Sequence, residues 1–169
     1  MALPNREIAF VYNKEILQKL DNVIPQATSI SIQEAIFAND TDKLQKCLHK
    51  LLLQSASCYD TVGENFYHGL VLGLCAMLDK HYHVTSNRES GEGRYDIQLM
   101  PRNNKRPGVL IELKAEKGCS DDKLKELSQI ALQQIYDRKS DAEMEAKGIT
   151  TIFKYGVAFS GKKVEITAE

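Results

Sequence analysis

The segment Val109-Leu-Ile-Glu-Leu-Lys-Ala115 limits the fold of this 169-residue chain more tightly than any other. Side chains alternate across a strand, so Val109, Ile111 and Leu113 share one face while Leu110, Glu112 and Lys114 share the other. A strand this apolar on both faces belongs in the middle of a sheet covered on both sides. A carboxylate and an ammonium in such a place cost several kcal/mol per ion unless they are paired or bind a metal. Two readings follow from the segment alone: an internal Glu112–Lys114 ion pair in an ordinary sheet, or a site with chemistry.

The rest of the chain supplies the layers. Residues 1–60 read as a helical segment packed on the core. Ile8, Val11, Tyr12, Ile16 and Leu20 follow a helical period, and Ser31 to Glu34 has the form of a capping box. Asn39 to Thr41 breaks the chain, and Leu44, Cys47, Leu48, Leu51 and Leu52 stripe the next helix. Residues 63–81 form a helix apolar nearly all round, with Gly69 and Gly73 four apart, where another backbone could approach. Strands are expected at 84–86, 94–99 and 109–114. A polar hairpin at 101–108 joins the last two. Residues 121 to about 145 read as one helix ended by Gly148, and strands follow at 150–159 and 164–167. The order from residue 61 to 169 is helix, three strands, helix, two strands, in an α/β domain with a mixed central sheet.

Arg94-Tyr-Asp-Ile-Gln-Leu99 sharpens the choice between the two readings. Tyr95, Ile97 and Leu99 share one face, and Arg94, Asp96 and Gln98 the other. Pairing through the hairpin sets Asp96 beside Glu112. Adjacent carboxylates raise a pKa or call in a cation. Oxygen ligands without sulfur or imidazole select a hard ion such as Mg2+ or Mn2+. Lys114, on the same face, would hold an attacking water or offset charge on a phosphate.

Asp96 followed by Glu112-Leu113-Lys114 resembles the D…E-x-K signature of the PD-(D/E)xK nuclease superfamily. The joint order of Pro4-Asn-Arg-Glu7, Phe66-Tyr-His-Gly69, Ser90-Gly-Glu-Gly-Arg-Tyr-Asp96, Ile111-Glu-Leu-Lys114, Ala131-Leu-Gln-Gln-Ile135 and Gly156-Val-Ala-Phe-Ser-Gly161 is similar to one bacterial branch. In that branch the nuclease-like domain follows an AAA-ATPase-like domain. The resemblance implies a restriction-endonuclease-like αβββαβ core and metal-dependent hydrolysis of phosphodiesters in nucleic acid, with DNA expected ahead of RNA. It implies Asp96 and Glu112 as ligands of Mg2+ or Mn2+, with the Leu113 backbone carbonyl and Glu64 completing the set. Lys114 would position the water and stabilise developing charge, and Gln134 would orient the site. The usual Gln-x-x-x-Tyr of RecB-type members is not met, because Tyr136 is two residues after Gln134. Tyr95 also stands where the family name has proline.

Composition limits the partners. Lys plus Arg (22) nearly balances Asp plus Glu (23), so a polyanion would have to be met by a local patch. Candidates for the nucleic-acid backbone are His68, one helical turn after Glu64, together with Arg94 and the hairpin residues Arg102, Lys105 and Arg106. Lys162 and Lys163 form a second basic turn. Cys47, Cys58, Cys75 and Cys119 make no metal spacing and read as reduced thiols of a cytoplasmic protein. The longest apolar run, residues 69–78, is too short for a bilayer, and no signal peptide is expected. The competing class is a non-catalytic nucleic-acid- or protein-binding module of the same fold, acting with an ATPase-like partner. The apolar face at 44–52 and the glycine pair leave room for a homodimer.

Overall fold

The computed structural model describes residues 26–55, 64–90 and 93–169, without the side chains of 26, 29, 55, 87–90 and 93–95. The helix expected near residues 8–20 and the thiol of Cys58 fall outside the described residues. The elements in chain order are α1 (Gln26–Phe37), α2 (Thr41–Ser55), α3 (Glu64–Ala76), β1 (Tyr82–Ser90), β2 (Gly93–Pro101) and β3 (Gly108–Ala115). They are followed by α4 (Asp121–Asp137), α5 (Ala142–Ala146), β4 (Ile152–Ser160) and β5 (Lys163–Ala168). The five strands form one mixed sheet in sequential order. β1, β2 and β3 make an antiparallel meander, β4 joins β3 in parallel through the α4–α5 crossover, and β5 returns antiparallel.

β3 is central, as its sequence demands. Ile97, Leu99, Val109, Ile111, Leu113, Tyr155, Val157 and Phe159 point into one core, closed by apolar residues of α1, α2 and α3. Leu44, Leu48, Leu51 and Leu52 belong to that core, so the apolar stripe of α2 is buried inside the chain itself. The opposite face is smaller: Met100 and Leu110 meet Ile135, Met144 and Ile149. Each face of the sheet thus has its own layer, which lets a strand apolar on both sides be buried on both sides.

Tyr67 fastens α3 to the sheet. Its ring stacks on Phe159 with centroids 4.3 Å apart, and its hydroxyl donates to the Gly161 carbonyl at 2.7 Å. On the other face α4 rests directly on β4 at Gly156, where an added Cβ would collide with the Ser128 carbonyl and the Leu132 amide. Gly156 is the β4 partner of Glu112. The close approach of α4 therefore occurs beside the charged position of β3.

Five expectations are corrected. The helix expected to run from 121 to about 145 is two helices. The Lys139 and Ser140 amides donate back to the Tyr136 and Ile135 carbonyls, and Lys139 takes φ +48°, which closes α4 without a glycine. The capping box at Ser31 is absent, because α1 already runs through that residue. The chain caps one helix later, where Asp40 Oδ1 accepts the Lys43 amide at 2.9 Å. The helix from 63 to 81 ends at Ala76, and β1 starts at Tyr82, longer than the expected 84–86 because nearly all of it pairs with β2. Among the described residues nothing lies within 4 Å of a Cβ added at Gly69, so no backbone makes the close approach expected there. Among the described residues no helix is long and apolar enough to cross a membrane.

The seat of α4 gives a direct prediction. Gly156→Ala should destabilise the protein by about 1–3 kcal/mol, because the methyl has backbone atoms in front of it that cannot turn aside. Urea denaturation measures this, and Gly69→Ala, which points into open space, is the control expected to lose no stability by overpacking.

Candidate active site

The β2–β3 ladder pairs Leu99 with Val109, Gln98 with Leu110 and Ile97 with Ile111. Asp96 and Glu112 are the next residue on each strand. Here the Asp96 side chain takes over from the ladder, its Oδ2 accepting the Leu113 amide at 2.8 Å. A residue's N–H and C=O point to the same side of a strand, so the Leu113 carbonyl also faces the β2 side. His68 of α3 reaches this point from the other layer, with Nε2 3.2 Å from the Asp96 backbone oxygen.

Glu112 is 1% exposed. Arg138, at the end of α4, donates from Nη1 to Oε1 at 2.7 Å. The other oxygen, Oε2, is buried with no hydrogen-bond partner among the described residues. Burial, and then the charge of Asp96, push the Glu112 carboxyl up to about 7 against the pull of Arg138 and Lys114. Lys114 is half-buried on the same face of β3 and close enough for its charge to act on Glu112. The close partner of Glu112 is thus Arg138 rather than Lys114, which corrects the internal pair considered from the sequence.

Arg138 escaped sequence reading because it lies 26 residues from Glu112 and inside a stretch read as continuous helix. One signal pointed to it. Gln134 and Arg138 are four apart and so share a helix face. Arg138 stands where a Gln-x-x-x-Tyr pattern starting at Gln134 would place its tyrosine. Gln134 Oε1 is itself buried without a hydrogen-bond partner among the described residues.

The remaining candidates are distributed unevenly. Glu64 is exposed at the start of α3, one turn before His68. No group of three His, Cys, Asp or Glu side chains able to hold a metal is found among the described residues, so Glu64 is not gathered with Asp96 and Glu112. The side chain of Arg94 is outside the described residues. Arg102, Lys105 and Arg106 occupy the other end of the strands. Gly108, where β3 begins, is four residues from Glu112, about 13 Å along the strand. Arg102 is committed to Asp79, bonding its carbonyl and carboxylate at 2.9 Å each, and Arg106 lies over the Phe37 ring at 5.7 Å. Lys105 is exposed at the hairpin tip. In the other basic turn, Lys163 pairs with Asp121 at 2.6 Å and Lys162 reaches the Leu53 carbonyl at 3.5 Å.

The donor set fits a hard divalent ion. It offers two neighbouring carboxylates, a backbone carbonyl on the same side and a buried carboxylate oxygen with no hydrogen-bond partner among the described residues.

The sequence model of the PD-(D/E)XK nuclease superfamily matches residues 62–169, from just before α3 to the end of β5. The chain belongs to that superfamily, and its mixed five-stranded sheet with flanking helices is the restriction-endonuclease-like α/β fold. Membership suggests a nuclease, and enzymes of this superfamily generally use divalent metal ions. No curated protein matches the chain.

The raised Glu112 carboxyl makes stability depend on pH. Glu112 loses its proton near 4.5 when unfolded and near 7 when folded. Between those values the folded chain holds a proton the unfolded chain has released, so stability falls as pH rises through the window. With a chelator present, Glu112→Gln should exceed wild type by about 3 kcal/mol at pH 8 and match it near pH 4.5. Urea denaturation at the two pH values reads this. An equal difference at both would mean that folding does not shift the carboxyl.

Proposed function

We propose that the chain is a metal-dependent nuclease that hydrolyses phosphodiester bonds in DNA in preference to RNA. The observation that carries this is the meeting of Asp96 and Glu112 at the end of the β2–β3 ladder, with Glu112 Oε2 buried and without a hydrogen-bond partner among the described residues. Mg2+ or Mn2+ on these oxygens would supply a nucleophile at neutral pH and neutralise charge on the phosphate. Asp96, Glu112 and the Leu113 carbonyl would hold the ion. Asp96 is kept in place by the Leu113 amide and Glu112 by its burial in a central strand.

Lys114 would hold the attacking water and set a fixed positive charge where negative charge develops, since it shares a face with Glu112. Gln134 would aim its buried oxygen at the water network of the same face. Glu64, on the exposed first turn of α3, would join through water. His68 and Arg94 would contact the phosphate backbone nearest the carboxylates. Arg102, Lys105 and Arg106 would meet it only where a longer duplex extends to the far end of the sheet. The motif order shared with the AAA-ATPase-associated branch supports an ATPase-like domain or protein as partner, and a cytoplasmic setting.

One observation favours the second reading, a non-catalytic module of the same fold. Arg138 already neutralises Glu112, as it would in a site kept only for structure.

The test is incubation of the chain with labelled single- and double-stranded DNA and RNA in Mn2+, Mg2+ or chelator. DNA should be cut with Mn2+ or Mg2+ and left whole with chelator. Asp96→Asn and Glu112→Gln should abolish cutting. Lys114→Met should lower the rate by about 10²–10³-fold, the usual loss when a group stabilising developing charge is removed. Metal binding without cutting of any substrate would favour the binding module, and cutting of RNA alone would reverse the substrate preference.

A further inference from the structure

Around an ionised Glu112 the charges already cancel. Asp96 and Glu112 bring two negatives, and Lys114 and Arg138 bring two positives close enough to act on the Glu112 carboxylate. A divalent ion added to this set would leave an excess of two positive charges around a residue that is 1% exposed. Excess charge beside a buried carboxylate is unfavourable, and withdrawal of one resident cation halves the excess.

The two cations are not equally free to withdraw. Lys114 belongs to β3, paired with Ala158 inside the sheet. Arg138 is the C-cap residue just after α4, its side chain is 37% exposed, and the chain beyond it turns away through Lys139. Its guanidinium can swing into water without breaking a strand or a helix hydrogen bond. The division of the carboxylate fits this exchange: Arg138 holds Oε1, while Oε2 offers an ion a first point of attachment.

We propose that Arg138 and a divalent cation compete for Glu112, the guanidinium holding the carboxylate as a resident counter-ion and leaving Oε1 when the metal binds. This rests on the reading of Asp96 and Glu112 as metal ligands. It makes Arg138 a positioning residue that opposes metal binding, the reverse of an ordinary orienting partner. Loss of an orienting partner weakens metal binding, by about 10–100-fold. Loss of a competitor tightens it, and coupling between two sites is commonly about 5–150-fold.

The sign is read by calorimetric titration of the full chain with Mn2+, for wild type, R138Q and R138K. R138Q should bind Mn2+ at least about fivefold more tightly than wild type, with R138K between the two. R138Q should also gain more in melting temperature from saturating Mn2+ than wild type gains. Equal or weaker binding by R138Q overturns the exchange and leaves the metal-ligand reading standing. No binding by any of the proteins, wild type included, overturns both. Should R138Q fail to fold, the guanidinium 15N signals of wild type, assigned by comparison with R138K, decide the question. The hydrogen-bonded Arg138 signal should vanish on saturation with Mg2+, and its persistence unchanged would overturn the proposal.

Discussion

A carboxylate held out of water in the middle of a sheet is the constraint to which the other parts answer. Glu112 cannot be left alone at 1% exposure, and β3 cannot move to expose it without breaking two ladders. Asp96 adds to that cost through its own charge, and the surroundings meet it from the side of α4. Asp96 ends the neighbouring ladder and bonds the backbone next to Glu112 rather than Glu112 itself. Arg138 arrives from α4 at 2.7 Å. Gly156, on the adjoining strand, lets α4 lie close enough for that arginine to reach. Replacing the pair by apolar residues would be energetically easy in most folds. Its presence therefore asks for a reason beyond stability, and neighbouring oxygen donors supply one.

Much of this was legible in the sequence because strand parity is a rigid rule. With 109–115 as a central strand and 101–108 as its hairpin, Asp96 is expected at the level of Glu112, and the observed ladder ends at Ile97 and Ile111, the residues just before the two. Strand ends were less legible. β1 gains its length from pairing with β2 along nearly its whole run, a tertiary effect that no local pattern in 82–90 announces. The end of α4 was invisible for a different reason. A lysine in the left-handed region, held by two backbone hydrogen bonds, closes the helix where a reader looks for glycine. Missing that boundary also hid Arg138, whose position at the helix end is what frees its side chain to turn toward β3.

The basic residues teach a related lesson. Arg102, Lys105 and Arg106 stand out in the sequence as a cluster, yet Arg102 and Arg106 are occupied by Asp79 and Phe37 and stabilise the hairpin and α1. Exposed pairs of this kind contribute little energy, about 0–1 kcal/mol each. Their evident role is to fix the loop against its neighbours. With a net charge of −1 and its most visible cations so employed, the chain has little general attraction for a polyanion. Recognition would have to be concentrated at the site itself.

Tyr67 has a consequence for how the two layers keep alignment. Its stack on Phe159 and its bond to Gly161 peg α3 to the far end of β4, and His68 is the very next residue. A helix advances 1.5 Å per residue, so a slip of even one position would carry His68 off the Asp96 carbonyl. The peg turns a sliding contact between helix and sheet into a fixed one. Positional accuracy at the edge where Asp96 and Glu112 meet is thus set by an aromatic ring outside that edge.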